Sequence, residues 1–333
     1  MLDATLRALA MLRASEAVPL GQGLSADNAQ ACLHQAIRPF NTQTLTAAVQ
    51  AAGRLPDRLA VVVPAGVFTT PIEWTAIAAA AGAAVHLKAP SRDPALCRRL
   101  AECFVAQGLS VTWSDQRTLP KVDAIVALGS DETVQAIASA HPDLPVARYG
   151  HRFSVAFIGG SAARAAGPLA LDVARYDTRG CLAPTGVFTT GDPSELVAQL
   201  IPMMQRMEQL TPRGDVEPAL GPEWRRRLGI ARILGQVATG AGWAVTVSPP
   251  EHFVPQALPR MVNIHPVRDT DHLRQILAPW QDHLSTLGTD DSAVEIPGIL
   301  RTSALGWMQA PTIPRKHDGR PMLSDLRCAP GGT

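Results

Sequence analysis

Leu59-Ala60-Val61-Val62-Val63 is an unbroken apolar run that stops at Pro64. It has the pattern of a strand buried on both faces, as in a parallel sheet. Outward from it the chain alternates. Residues 74–81 are Ala-rich and read as a helix closed by Gly82. Ala84-Val85-His86-Leu87 reads as a second strand. Asp93 then caps a helix with Pro94 in its first position, running to about Gln107. Residues 122–128 give a third strand, followed by Gly129-Ser130 and a helix with Asp131 and Glu132 in its first turn. Strand and helix in strict alternation predict a doubly wound α/β sheet. Ligands in such sheets bind beyond the carboxyl ends of the strands, which here means residues 64–67, 88–92 and 129–130.

The rest of the chain is consistent with that class. Its 333 residues suggest two domains or one large α/β unit. Hydrophobic residues make up 46%, enough for a real core, and 26 Gly with 28 Pro imply many turns. The net charge is +1, and the densest basic cluster is Arg225-Arg226-Arg227, so neither a nucleic-acid footprint nor a polybasic membrane surface is expected. Five cysteines without a CxxC pair argue against a disulfide framework and for a reducing, cytoplasmic compartment. Nine scattered histidines form no metal-ligand array, so no metal is expected. The N-terminus places Leu2, Leu6, Leu9 and Leu12 on one helical face and has no apolar core of a secretory signal; no membrane span is expected either. A polar break covers 21–28, where Gly21-Gln22-Gly23 follows no strand and reads as a loop.

Residues 155–160 read as a further strand. Asp192, Pro193 and Glu195 mark a helix start at 192. Residues 211–222 read as a linker, 223–237 and 270–277 as helices, 243–247 and 260–264 as short strands, and 301–333 as a Pro- and Gly-rich segment that wraps back.

Among reactive groups, Cys181 stands out. It lies between Gly180 and Pro184, on a bend, with Arg175 and Arg179 near in sequence to favour a thiolate. The competing reading is a buried small hydrophobe, which is what Cys97 and Cys103 look like inside an amphipathic helix. Lys88, followed by Ser91 and Arg92 at a strand's carboxyl end, can hold a ribose or phosphate, or can be a surface lysine at a loop edge. Gly129-Ser130 lets backbone approach a cofactor at a helix N-terminus, although Asp131 and Glu132 oppose a phosphate there. His151, within Arg148-Tyr149-Gly150-His151-Arg152, is a candidate proton relay or a structural histidine.

These segments together resemble the aldehyde dehydrogenase superfamily: Val61-Val62-Val63-Pro64, Trp74, 82–88, Ala124-Ile125-Val126-Ala127-Leu128-Gly129-Ser130, and Cys181. Tyr149-Gly150-His151-Arg152-Phe153-Ser154, Asp172 with 177–184, and His317-Asp318-Gly319-Arg320 are similar to the fatty-acyl-CoA reductase family within it, which includes the acyl reductase of bacterial luminescence. The resemblance covers roughly 55–330. It implies a cofactor domain and a catalytic domain, with the nucleophilic cysteine, here Cys181, in the cleft. It implies NADPH and reduction of an activated acyl group to an aldehyde. Lys88 matches the adenosine-ribose lysine, Gly129-Ser130 the loop near the diphosphate, and Pro64-Ala65-Gly66 the loop after the first strand. Where NAD-preferring relatives place a Glu, this chain has Ser91 and then Arg92, which fits a 2′-phosphate.

Two departures carry meaning. Hydrolytic relatives have Glu-Leu-Gly-Gly-Lys where this chain has 148–152, so the water-activating Glu is replaced by Arg148. The oxyanion-stabilising Asn aligns with Gly66, leaving backbone N–H groups, that of Cys181 foremost, to hold the oxyanion. The expectation is therefore an acyl thioester, from CoA or a carrier, passed to Cys181 and reduced by NADPH. Aldehyde oxidation and a non-catalytic subunit docking on an acyl-activating ligase are the rival readings. A homo-oligomer is expected. The expected domains are 1–175 for the cofactor with a helical N-terminus, 176–300 for a smaller α/β catalytic domain carrying Cys181, and 301–333 packing back across both.

Overall fold

The structure, a computed structural model, describes residues 1–15, 23–216, 218–255 and 257–328. Gly21 and Gln22 of the polar break lie outside the described residues. The chain divides into two compact units, each built on its own sheet: Met1–Gln22, Gln30–His151 and Thr312–Thr333 form one, Gly23–Ala29 and Arg152–Pro311 the other.

In the first unit the elements follow as α1 (Leu2–Arg13), α2 (Ala26–Ile37, in this unit from Gln30), α3 (Thr42–Ala52), β1 (Arg58–Val62), α4 (Thr70–Ala80), β2 (Ala84–Lys88), α5 (Ala95–Val105), β3 (Val111–Ser114), β4 (Ala124–Leu128), α6 (Asp131–Ala140) and β5 (Val146–Tyr149). The sheet is wholly parallel in the order β3-β2-β1-β4-β5. The apolar run at 59–63 is its central strand: Leu59, Ala60 and Val61 are fully buried, because neighbours pair on both edges and helices cover the faces. Helix α4 has no polar stripe and is buried nearly all round. Helix α5 begins at Ala95 with Pro94, not Asp93, in the capping position. Strands β3 and β5 were not legible as strands, since each is a four-residue edge with too few positions to show a period.

The second unit contains β6 (Phe153–Ile158), α7 (Ala162–Ala174), β7 (Pro184–Thr189), α8 (Pro193–Leu210), α9 (Leu220–Leu234), β8 (Val237–Thr239), β9 (Ala244–Val247), β10 (Met261–Pro266), α10 (Thr270–Leu277), β11 (Leu284–Thr289) and β12 (Arg301–Ala304). The strand read at 155–160 opens this sheet instead of extending the first. The sheet runs β12-β11-β6-β7-β10-β9-β8, seven strands against five, parallel except at β8. On one face Ala165, Leu169, Leu196, Leu200 and Met204 of α7 and α8 pack on Val187, Val262 and Ile264. On the other, Phe153, Phe157, Phe188 and Phe253 pack with Leu273 and Leu277. Each of these side chains larger than alanine contributes roughly 1.5–3 kcal/mol through burial. Helix α8 starts where the sequence marks it, with Asp192 accepting from the Ser194 N–H at 2.8 Å. Among the described residues no helix is long and apolar enough to cross a membrane.

Asp172, buried at the end of α7, fastens the segment after β12: its carboxylate accepts from Gly306 N at 2.5 Å and Met308 N at 3.1 Å. Burial outweighs these donors and pushes its carboxyl up to about 6. The native state thus keeps this proton to higher pH than the unfolded chain, where aspartate titrates near 3.9. Its stabilising contribution is complete below about pH 4 and falls as pH rises to about 6, by roughly 3 kcal/mol in all. Denaturant unfolding should show wild type losing that much relative to Asp172→Asn between pH 4 and 7; parallel pH curves for the two proteins would contradict it.

Candidate functional site

In the first unit the strand order reverses between β1 and β4, which places a crevice outside their carboxyl ends. Pro64, Ala65 and Gly66 leave β1 there, with Ala65 and Gly66 exposed; Gly129 and Ser130 leave β4. One strand over, Lys88 ends β2 opposite Val62, and Ser91 and Arg92 are exposed beyond it. Lys88 Nζ donates to the carbonyl of Ala89 at 2.6 Å, which leaves it two further N–H donors. A hydroxyl and two cations on the β2 side suit a phosphorylated ribose. The β4 side is less open to an anion. Ser130 Oγ is engaged as the cap of α6, accepting from Thr133 N at 3.3 Å, and Glu132 beside it is held below the usual carboxylate range by its own backbone N–H and by Ser130. Gly129 and Ser130 therefore offer close backbone approach more than a phosphate site.

Two segments quoted for the family resemblance meet in this unit. His317 and Arg320 flank a two-residue hairpin turn whose central residues, Asp318 and Gly319, have φ of 49° and 78°. Both angles are left-handed, the backbone that an Asp-Gly pair supplies. Arg320 donates to the Arg148 carbonyl at 2.9 Å and lies over the Tyr149 ring at 4.8 Å. Tyr149 in turn packs edge-on against His317, ring centroids 4.9 Å apart, and tilted against Trp74, also at 4.9 Å. Burial pushes its phenol up to about 12, and its hydroxyl has no hydrogen-bond partner among the described residues. Gly150 follows because a Cβ there would overlap Asp131 Oδ1, which accepts from His151 N at 2.9 Å. The His151 side chain is exposed and Arg148 is exposed. Cys97 is buried and its thiol is pushed up to about 12, chiefly by burial; Cys103 is raised for the same reason.

In the second unit Cys181 is exposed, in a turn directly before β7. The backbone around it is fixed from both sides. Downstream, the Gly180 carbonyl accepts from Ala183 N at 3.0 Å, and Ser154 Oγ on β6 donates to the Cys181 carbonyl at 2.6 Å while accepting from Thr286 N of β11 at 3.0 Å. Upstream, Tyr176, Asp177 and Thr178 are consecutive left-handed residues, φ 53°, 48° and 62°, all buried. None is glycine; such a conformation costs roughly 1–2 kcal/mol per residue. Asp177 Oδ1 accepts from Arg260 Nε at 2.7 Å and Asn28 Nδ2 at 3.1 Å, and Oδ2 from Gly214 N at 3.0 Å. Arg260 and Asp177 side chains are both 0% exposed. Thr178 Oγ1 donates to the Val173 carbonyl at 3.0 Å and accepts from Arg260 N at 3.2 Å.

Both arginines near Cys181 in sequence donate to backbone carbonyls: Arg175 to Gly306 at 3.1 Å, and Arg179 to Gly23 and Asp215 at 2.6 and 2.9 Å. The residues that sequence reading missed are Arg260 and Asn28, which lie 83 and 149 positions from Asp177 and carry no local pattern. Asp177 and Thr178 stood inside a quoted motif, but their left-handed backbone has no signature without glycine.

The fold is shared with solved enzymes. An oxidoreductase from Marinobacter aquaeolei superposes with a TM-score of 0.73 at 13% identity, covering 93% of this chain and 78% of that one. The indole-3-acetaldehyde dehydrogenase of P. syringae, solved as a variant with NAD+, gives 0.71 at 12% identity, covering 92% and 76%. The architecture is thus that of the aldehyde dehydrogenases. In sequence, the long-chain acyl-protein thioester reductase of Aliivibrio fischeri is 25% identical over 207 residues, 55% of this chain. The match spans 43% of that relative's length. The family model for acyl-CoA reductase (LuxC) matches from residue 82 to residue 329, across both sheets, the Cys181 turn and the His317–Arg320 hairpin, so the chain belongs to the acyl-CoA reductase (LuxC) family.

Proposed function

We propose that this protein reduces an acyl thioester to an aldehyde with NADPH, Cys181 carrying the acyl group in between. The observation that carries the reading is the exposed thiol of Cys181 on a backbone fixed from both sides. Family membership and the relative's description as a long-chain acyl-protein thioester reductase support it.

The thiolate of Cys181 attacks the acyl carbonyl carbon. A bond forms from that carbon to Sγ, the bond to the donor sulfur breaks, and the donor leaves as its thiolate. One thioester replaces another, so the exchange is nearly balanced. The oxyanion is held by backbone N–H groups, that of Cys181 among them. Position 148 supplies a guanidinium where hydrolytic relatives supply a base, so water is not activated and the thioester persists. The reduced nicotinamide, when bound, supplies a hydride to the acyl carbon. Cys181 then departs as thiolate and the aldehyde is released, with His151 the candidate for relaying a proton in the cycle and a structural histidine in the competing reading.

Lys88, Ser91 and Arg92 are the residues suited to the 2′-phosphate of NADPH, with Pro64-Ala65-Gly66 and Gly129-Ser130 giving backbone approach. Arg92→Glu should weaken NADPH binding roughly tenfold and narrow its advantage over NADH, the effect shrinking at 1 M salt where the screening length is about 3 Å. Fluorescence titration with both cofactors measures this; an unchanged preference removes Arg92 from the site. The donor is CoA or a carrier thioester, supplied by an acyl-activating ligase, and a homo-oligomer in a reducing cytoplasm completes the proposal. The deciding experiment is NADPH consumption against acyl-CoAs of graded chain length, with aldehyde identified as product. Absence of NADPH oxidation with every thioester would refute the function.

A further inference from the structure

We propose that Arg260 is the positioning residue for Cys181: from the head of β10 it locks the left-handed turn Tyr176–Thr178 and thereby sets where the thiol stands when the acyl group arrives. The inference rests on the reading of Cys181 as the nucleophile and adds a residue and a mechanism to it.

A left-handed run of three residues without glycine does not hold itself in place. Something must over-determine it. Arg260 grips both of its polar members. Its Nε donates to Asp177 at 2.7 Å, and its backbone N–H donates to Thr178 Oγ1 at 3.2 Å. The rest of the guanidinium reaches the Thr211 carbonyl at 2.5 Å, Glu208 at 3.4 Å and the Ala174 carbonyl at 3.5 Å. One planar fork thus ties the turn to the end of α7 and the end of α8 at once. A lysine has no such fork and cannot span these partners together. Arg260 has a φ of 49° itself, so its own backbone is bent to present the N–H to the turn.

The turn ends at Thr178, three residues before Cys181. Over that stretch Arg179 holds the Gly23 and Asp215 carbonyls, and the Cys181 carbonyl is held by Ser154. The Cys181 backbone is therefore suspended between a sheet-anchored point and the Arg260-anchored turn. Release of one end lets the thiol wander while leaving it exposed. A nucleophile displaced by about 1 Å loses on the order of 10²-fold in a reaction that needs alignment. It loses little in a reaction with a small free electrophile that approaches from any side.

The test uses full-length wild type, Arg260→Lys and Thr178→Gly. Glycine adopts the left-handed region freely and removes no buried charge, so the second variant keeps the test valid if the first does not fold. Two rates are measured at Cys181 without NADPH: acyl transfer from an acyl-CoA, by intact mass, and alkylation by iodoacetamide, by peptide mapping. Acyl transfer should fall on the order of 10²-fold in Arg260→Lys and about tenfold in Thr178→Gly, with alkylation within about threefold of wild type and its pH midpoint unmoved. Acyl transfer unchanged in the folded variants, or reduced only in proportion to alkylation, overturns the proposal. If wild type itself takes no acyl group at Cys181, the nucleophile reading fails and the proposal falls with it; wild type acylated and both variants equal to it leaves that reading standing and removes Arg260.

Discussion

Cys181→Ser protein mixed with acyl-CoA and NADPH in a single turnover should release at least roughly 10³-fold less aldehyde than wild type. Sulfur matters at both ends of the cycle. As attacking atom, a thiol near neutral pH supplies a useful fraction of thiolate, whereas a serine hydroxyl is almost wholly un-ionised there and attacks only with a strong general base. As leaving group, a thiolate departs readily from the reduced carbon and an alkoxide does not. No other thiol can take over unnoticed. Cys97 and Cys103 are buried in α5 with thiols raised by burial, so neither offers a nucleophile. Cys32 is also buried; Cys328 is exposed, its backbone N–H donating to the Arg54 carbonyl at 2.9 Å, and it lies outside every segment quoted for the chemistry. Cys328→Ser is therefore the matched control and should keep full yield. Full aldehyde yield from Cys181→Ser would remove the nucleophile assignment.

The fold was legible where burial is two-sided and local punctuation is strong. The run at 59–63 needs no alternation to be read, because a strand covered on both faces has none, and it proved to be the middle of its sheet. Asp192-Pro193 announced α8 through groups that act within one turn. The four-residue edges β3 and β5 gave no period to detect, and the placement of 155–160 in a second sheet depended on pairing with β7 and β11, which no local signal encodes. The site divides the same way. A thiol beside a glycine on a bend and a lysine closing a strand are local facts. What holds the thiol is not: Arg260 meets Asp177 across 83 residues, and arginines adjacent in sequence, Arg175 and Arg179, turn out to brace backbone.

The largest stability effect should come from the same ion pair. Arg260→Met should destabilise the protein by roughly 3–5 kcal/mol, because it leaves the Asp177 carboxylate without its cation in a place where both side chains are 0% exposed. The Asn28 amide and the Gly214 N–H still donate to that carboxylate, so the loss is not the full desolvation of a bare ion. Of the other acceptors of the lost guanidinium, the Thr211 carbonyl loses a donor at 2.5 Å, whereas the Ala174 carbonyl keeps the Asn28 amide at 3.1 Å and the Glu208 side chain is 25% exposed to solvent. The sign of a second substitution separates charge from packing. If the penalty is mainly the stranded carboxylate, Asp177→Asn added to Arg260→Met should restore part of it, making the double variant more stable than Arg260→Met alone even though more native bonds are gone. If the penalty is the lost volume and the strain of the turn, the double variant should be no better. Denaturant midpoints of the four proteins in the cycle decide between them, and a coupling under about 0.5 kcal/mol would mean the pair acts as two independent side chains. The electrostatic outcome is expected, since the partners are in direct contact at 2.7 Å and both side chains are fully buried.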